Sequence, residues 1–146
     1  MTTTDEERQA VEAAVRRIYE AIVALVNAEG TDAIRDAWHH TPEATAKHPS
    51  GEWARGWDEV WTVWQIFESF GRPGTGTGEF KDLRVEVFGD FAFATWIFQT
   101  VPAWGGEAIM TSNVLRKLDG EWKVVHHHAD RSPGMEAALD RMMAEG

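Results

Sequence analysis

Between residues 5 and 28, apolar side chains recur every three or four positions: Val11, Val15, Ile18, Ile22, Leu25 and Val26. That spacing stacks them on one face and predicts a long amphipathic helix. Thr4 followed by Glu7 has the capping-box pattern for its start, and Gly30 can end it. TDAIRDAWHH predicts a short second helix with Thr31 as its N-cap. ATAKHPSG, residues 44–51, predicts a short extended piece stopped by Pro49 and Gly51. A third helix is expected over 56–70, where Trp57, Trp61, Trp64 and Phe67 lie roughly on one face with Val60 beside them. Such a stripe suits core packing, and the same rings can wall a ligand cavity.

Beyond residue 78 the apolar period shortens to two. Leu83, Val85 and Val87 alternate with Asp82, Arg84 and Glu86, which predicts a strand buried on one face. Gly89-Asp90 reads as a two-residue turn into FAFATWIFQT. That strand is apolar at both alternating sets of positions, so helices should cover one face and a partner the other. Residues 107–118 and 121–129 predict two more strands, joined by a hairpin turn at Asp119-Gly120. SPGMEAALDRMMA predicts a short C-terminal helix with Met135, Leu139 and Met142 on one side. RPGTGTG, residues 72–78, lacks the Lys-Ser/Thr ending of a P-loop and follows a helix, so it is read as a connector. Three helices, an antiparallel meander and a small helix make an α+β fold, with the helices packed on one face of a curved sheet. The chain is expected to be one domain over 1–146, with 132–146 as a helical extension.

Composition narrows the function classes. Twenty-four acidic residues against 14 basic ones give a net charge of −10. Such a surface repels phosphate backbones and anionic membranes, so no nucleic-acid or membrane partner is expected. The N-terminal MTTTDEERQAVEAAV has neither a basic start nor a continuous apolar run, so it reads as neither signal peptide nor membrane span. A cytoplasmic location is the default. The absence of Cys removes disulfides, thiolate zinc sites and a cysteine nucleophile. Eight Trp and seven Phe supply large apolar area for a core or a cavity.

The run WKVVHHHAD (122–130) carries three consecutive histidines. A two-residue turn at Asp119-Gly120 places Leu115 opposite Val124, Asn113 opposite His126 and Thr111 opposite His128. On that register His126 and His128 share a face with Asn113 and Thr111, while His127 points the other way. Two His at i and i+2 can bind a metal when a third ligand converges, but nothing in the spacing of His39, His40 and His48 requires it. No metal or cofactor is expected. The polar row either hydrogen-bonds within the sheet or lines a pocket.

The long helix, NAEGTD, the short helix, ATAKHPSG, the third helix and a meander ending in DGEWKVVHHHAD together resemble the nuclear transport factor 2 (NTF2)-like superfamily. The resemblance is to its SnoaL-like and ketosteroid-isomerase-like branch, and covers residues 5–130. It implies a cone-shaped, cystatin-like α+β barrel, a deep apolar pocket between sheet and helices, and a homodimer formed through the outer sheet face. In the segment resembling ATAKHP, His48 stands where ketosteroid isomerases carry a general-base Asp. Imidazole can transfer protons near neutral pH, its unperturbed pKa being ~6.5. At the places of the isomerase Tyr and Asp oxyanion donors stand Ile22 and either Asn113 or Val114. Ile22 cannot donate, so steroid-type isomerisation is disfavoured.

The site expected from the resemblance has His48 and Asn113 as catalytic groups. Ile22, Trp38, Trp57, Trp61, Trp96, Thr111, His126 and His128 are expected to line the pocket. The expected function is binding of a small apolar or aromatic molecule, with proton-transfer chemistry of the isomerase, cyclase or dehydratase type. The alternative is a non-catalytic dimeric module that binds a ligand or a protein.

Overall fold

A computed structural model describes residues 3–49, 51–130 and 144–145. The segment bearing Met135, Leu139 and Met142, for which a C-terminal helix is expected, lies outside the described residues. The N-terminal apolar stripe forms one helix, α1 (Thr3–Val26). Val11, Val15, Ile18 and Leu25 on its inner face are buried. Glu7 does not complete a capping box. Its carboxylate accepts hydrogen bonds from Lys117 Nζ at 2.6 Å and Trp122 Nε1 at 3.1 Å, tying the helix to the sheet. The Lys117 hydrogen bond, above all, holds the Glu7 pKa below the ordinary carboxylate value.

After α1 the chain turns at Ala28, which has a positive φ, and again at Gly30. α2 (Asp32–Ala37) follows; Thr31 sits at its N-cap, without a capping bond from its side chain. α3 (Trp57–Ser69) buries Val60 and Trp64. At about 100° per residue, Val60, Trp64 and Phe67 fall within an arc of roughly 60°, and Trp57 and Trp61 fall on its flank. The expected single stripe therefore splits. Trp64 and Phe67 face inward, while Trp57 stacks on His40, with ring centroids 4.1 Å apart. Arg35 covers the Trp61 ring at 5.6 Å.

The strands are β1 (Thr45–Lys47), β2 (Ala54–Arg55), β3 (Glu79–Phe88), β4 (Phe91–Gln99), β5 (Ala108–Leu118) and β6 (Glu121–Asp130). They form one six-stranded sheet in the order β2-β1-β6-β5-β4-β3. The long strands make the expected antiparallel meander, but the sheet is mixed, because β1 runs parallel to β6. It curves without closing, so β2 and β3 are its edges. Ala92 and Ala94 on β4 are buried and small, which lets α1 lie close against the concave face beside Val85, Leu115 and Val124. On the convex face Phe91 and Phe93 are each 44% exposed, so in the single chain the second apolar side of β4 lies open.

The hairpin turn falls at Asp119-Gly120 as expected; both residues take positive φ, the requirement of a type I′ turn. Leu115 pairs with Val124, also as expected. The next step departs from the expectation. Val114 pairs with His126, leaving Val125 as an extra residue in a β-bulge. Every pairing beyond it moves by one: Asn113 lies opposite His127, Ser112 opposite His128 and Thr111 opposite Ala129. The side-chain period of two then turns His127 inward, with Asn113 and Thr111, and sends His126 and His128 to the outer face.

Candidate functional site

Between α1, α3 and the concave face of the sheet lies a cavity of about 300 Å³. Ile22, Leu25 and Val26 wall it from α1, and Trp64 and Phe67 from α3. Trp96, Phe98, Ile109, Thr111 and His127 face it from the sheet. His48 and Pro49 contribute from the segment after β1, and Gly76 and Thr77 from the glycine-rich connector. That connector is fastened at Gly76. Asn27 Nδ2 donates to Gly76 O at 2.7 Å, and Gly76 N donates to Asn27 Oδ1 at 3.0 Å. Among the described lining residues there is no Asp, Glu, Lys or Arg.

The polar part of this wall is a cluster of rings. The His48 and His127 centroids are 5.5 Å apart. Trp64 lies 4.6 Å from His48, edge-on, and 5.3 Å from His127. Phe67 presents an edge to His48 at 4.7 Å. His48 is 5% exposed and His127 is 2% exposed. Burial, reinforced by the charge of Lys47, lowers the His48 pKa to about 4. Burial also lowers His127 well below the ordinary value, followed by the influence of His48, His126 and His128. Both rings are therefore neutral at pH 7. His48 Nε2 and Trp64 Nε1 are buried with no hydrogen-bond partner among the described residues. Leaving a buried polar atom unpaired costs about 1–3 kcal/mol; Trp38 Nε1 and Arg116 Nε, away from the cavity, are in the same state.

Asn113 is fully buried behind this wall, and its amide is used by the protein. Trp96 Nε1 donates to Asn113 Oδ1 at 2.8 Å. Asn113 Nδ2 lies 2.9 Å from His127 Nδ1 and 3.4 Å from the His126 carbonyl. Tyr19, the one tyrosine of the sequence, spends its hydroxyl on Thr77 O at 3.0 Å.

Of the residues expected at the site, His48, Ile22, Trp96 and Thr111 meet at the cavity. Asn113 stands one layer back. Trp38, Trp57 and Trp61 lie away from it: Trp38 is buried in the core, 6.1 Å from Trp57. His126 and His128 are on the outer face because of the bulge. There His126 Nδ1 is 2.7 Å from Thr45 Oγ1, and Trp53 lies 5.9 Å from the His126 ring and 5.5 Å from the His128 ring. Burial, then the neighbouring His128, lowers the His126 pKa. Among the described residues no group of three or more His, Asp or Glu converges as a metal site. His127, Trp64 and Phe67 were missing from the expected set. The last two had a signal, being on the inner arc of α3 with Val60.

The profile of the SnoaL-like domain family matches residues 11–131. The chain belongs to the SnoaL-like family. Its fold is that of NTF2-like proteins. An NTF2-like family protein from Streptomyces avermitilis, described as a "putative dehydratase", superposes with a TM-score of 0.71 at 21% identity. That match covers 90% of this chain and 99% of the other. A "putative ketosteroid isomerase" from Parabacteroides distasonis gives 0.68 at 16% identity, covering 85% and 89%. An NTF2-like protein of unknown function from Pseudomonas putida gives 0.71 at 18%, covering 93% and 94%. No curated protein matches the chain. No described helix is long and apolar enough to cross a membrane.

Proposed function

We propose that this SnoaL-like protein binds a small, uncharged, largely apolar molecule and transfers a proton on it, in chemistry of the isomerase, dehydratase or cyclase type. One observation carries the reading: two neutral imidazoles, His48 and His127, stand 5.5 Å apart on the wall of a cavity whose described lining holds no ionic side chain. In this scheme His48 takes the proton from a carbon beside a carbonyl, and His127 donates a hydrogen bond to the carbonyl oxygen as charge builds there. A neutral imidazole can act as such an electrophile. The resemblance in fold to the S. avermitilis protein is in keeping with dehydration but does not select it over the other two.

A second reading, binding without turnover, is favoured by the His48 pKa of about 4, which makes the ring a weak base. Deuterium uptake separates the two. An aromatic ketone such as 1-tetralone, incubated with the protein in D2O, should exchange its hydrogens next to the carbonyl. His48→Gln should slow that exchange by roughly 10²-fold or more. Ketone that binds but does not exchange faster than in buffer supports the binding module. We also propose that two copies pair through the convex sheet face, where Phe91, Phe93 and Met110 are exposed.

A further inference from the structure

We propose that Trp96 and Asn113 are positioning residues that lock His127 in one neutral tautomer, with its proton on Nε2, so that the cavity recognises a neutral hydrogen-bond acceptor such as a carbonyl oxygen. The tautomer follows from the protein alone; the ligand class rests on the pocket reading above.

The chain of bonds has a forced direction. An indole N–H can only donate, so the Asn113 atom 2.8 Å from Trp96 Nε1 is the amide oxygen. The opposite end is fixed independently: a backbone carbonyl can only accept, so the atom 3.4 Å from the His126 oxygen is the amide nitrogen. The Asn113 side chain thus has one orientation, set at both ends. Its NH2 group has two N–H bonds and no free lone pair. One points to the His126 carbonyl and the other to His127 Nδ1 at 2.9 Å. His127 Nδ1 must therefore be the bare, accepting nitrogen, and in a neutral imidazole the proton then sits on Nε2. An imidazolium would set Nδ1–H against the Asn113 N–H, so the relay also opposes protonation of His127.

The relay is held rigidly at its far end. Trp96 is 2% exposed, with its ring 5.0 Å from Phe80 and edge-on to Tyr19 at 6.3 Å and to Phe98 at 6.1 Å. Its indole cannot swing away without opening that cluster. Nδ1 being engaged, Nε2–H is the ring nitrogen left for a guest, and it can meet only an acceptor.

Long-range 1H–15N correlation on the labelled protein at pH 7 tests this, with His127→Gln assigning the ring. The wild type should show a bare Nδ1 and a protonated Nε2. Asn113→Asp, nearly isosteric, turns the relay group into an acceptor and should move the proton to Nδ1. Trp96→Phe removes the indole donor, leaves the amide held only by its 3.4 Å bond to the His126 carbonyl, and should populate the second tautomer in part. Binding is then compared for 1-tetralone and tetralin, which share a skeleton but differ in the carbonyl. Asn113→Asp should weaken the ketone about tenfold, the loss of one hydrogen bond, and leave tetralin unchanged. A wild-type His127 with its proton on Nδ1, or tautomers unaffected by both substitutions, overturns the relay. Equal weakening of both compounds overturns the acceptor-selective ligand class. If neither compound binds while the wild-type tautomer is as stated, the pocket reading and its ligand class fall and the relay stands.

Discussion

His48 offers the sharpest quantitative check, because one substitution isolates it. Its folded pKa is about 4, against an ordinary imidazole value of 6.5. Between those values the unfolded chain binds a proton at His48 that the folded protein does not, so stability must fall as the pH drops. Linkage gives about 2 kcal/mol lost by pH 5 and about 3 kcal/mol by pH 4, at ~1.4 kcal/mol per pKa unit. The ring is 5% exposed, so solvent screening removes little of this. Carboxylates and His127 also titrate as the pH falls, but they are present in both wild type and His48→Gln. The assay is urea unfolding of both proteins from pH 7.5 to 4.5. The difference in stability, variant minus wild type, should grow by about 2 kcal/mol from neutral pH to pH 5 and flatten above pH 7. Parallel curves, or an NMR titration placing His48 near 6.5, would refute the argument and with it the neutral-imidazole wall.

Three further outcomes follow from other parts of the molecule. Leu115→Ala removes a fully buried side chain beneath α1 and should cost about 2–5 kcal/mol in denaturant unfolding, with the fold retained by circular dichroism. Gly71→Ala should cost about 1–3 kcal/mol, because an added Cβ would lie 2.4 Å from Leu25 O, a backbone atom that cannot move aside cheaply; a thermal shift of a few degrees or more reads it, and an unchanged melting temperature would show that the helix end gives way. Sedimentation should return a dimer for the wild type and a monomer for Phe93→Glu, which puts a charge on the open convex face; a monomeric wild type rejects the proposed pairing.

The elements were readable where local chemistry determines them. The period of α1 and the Asp-Gly turn place the first helix and the last hairpin to within a few residues. The connector reading of RPGTGTG also holds, although nothing in those residues signals that Gly76 and Thr77 reach the cavity rim. What stayed hidden depends on distant partners. Glu7 has the capping-box spacing but is taken by Lys117 and Trp122, more than a hundred residues away. β1 has three residues, and its parallel alignment on β6 leaves no local trace. His127 was misplaced because the extra residue at Val125 answers the bend of the sheet, and a Val-Val pair looks the same in a regular strand. At the candidate site, the residue before Pro49 and the cavity-facing Ile22, Trp96 and Thr111 were legible. The relay was not, since it needs the corrected pairing to bring Asn113 beside His127.

That one extra residue makes the cavity chemistry binary. Inside or outside on a strand is a matter of parity, and gaining or losing a bulge between the turn and the histidines inverts it. With HHH at 126–128, one parity lines the interior with a single imidazole and the other with a pair. A lineage could therefore exchange a one-histidine wall for a two-histidine wall by pairing Val125 with Val114 in a regular strand, which brings His126 and His128 inward with no new side chain required. Two such proteins would look almost identical residue by residue while offering different proton inventories to the same guest.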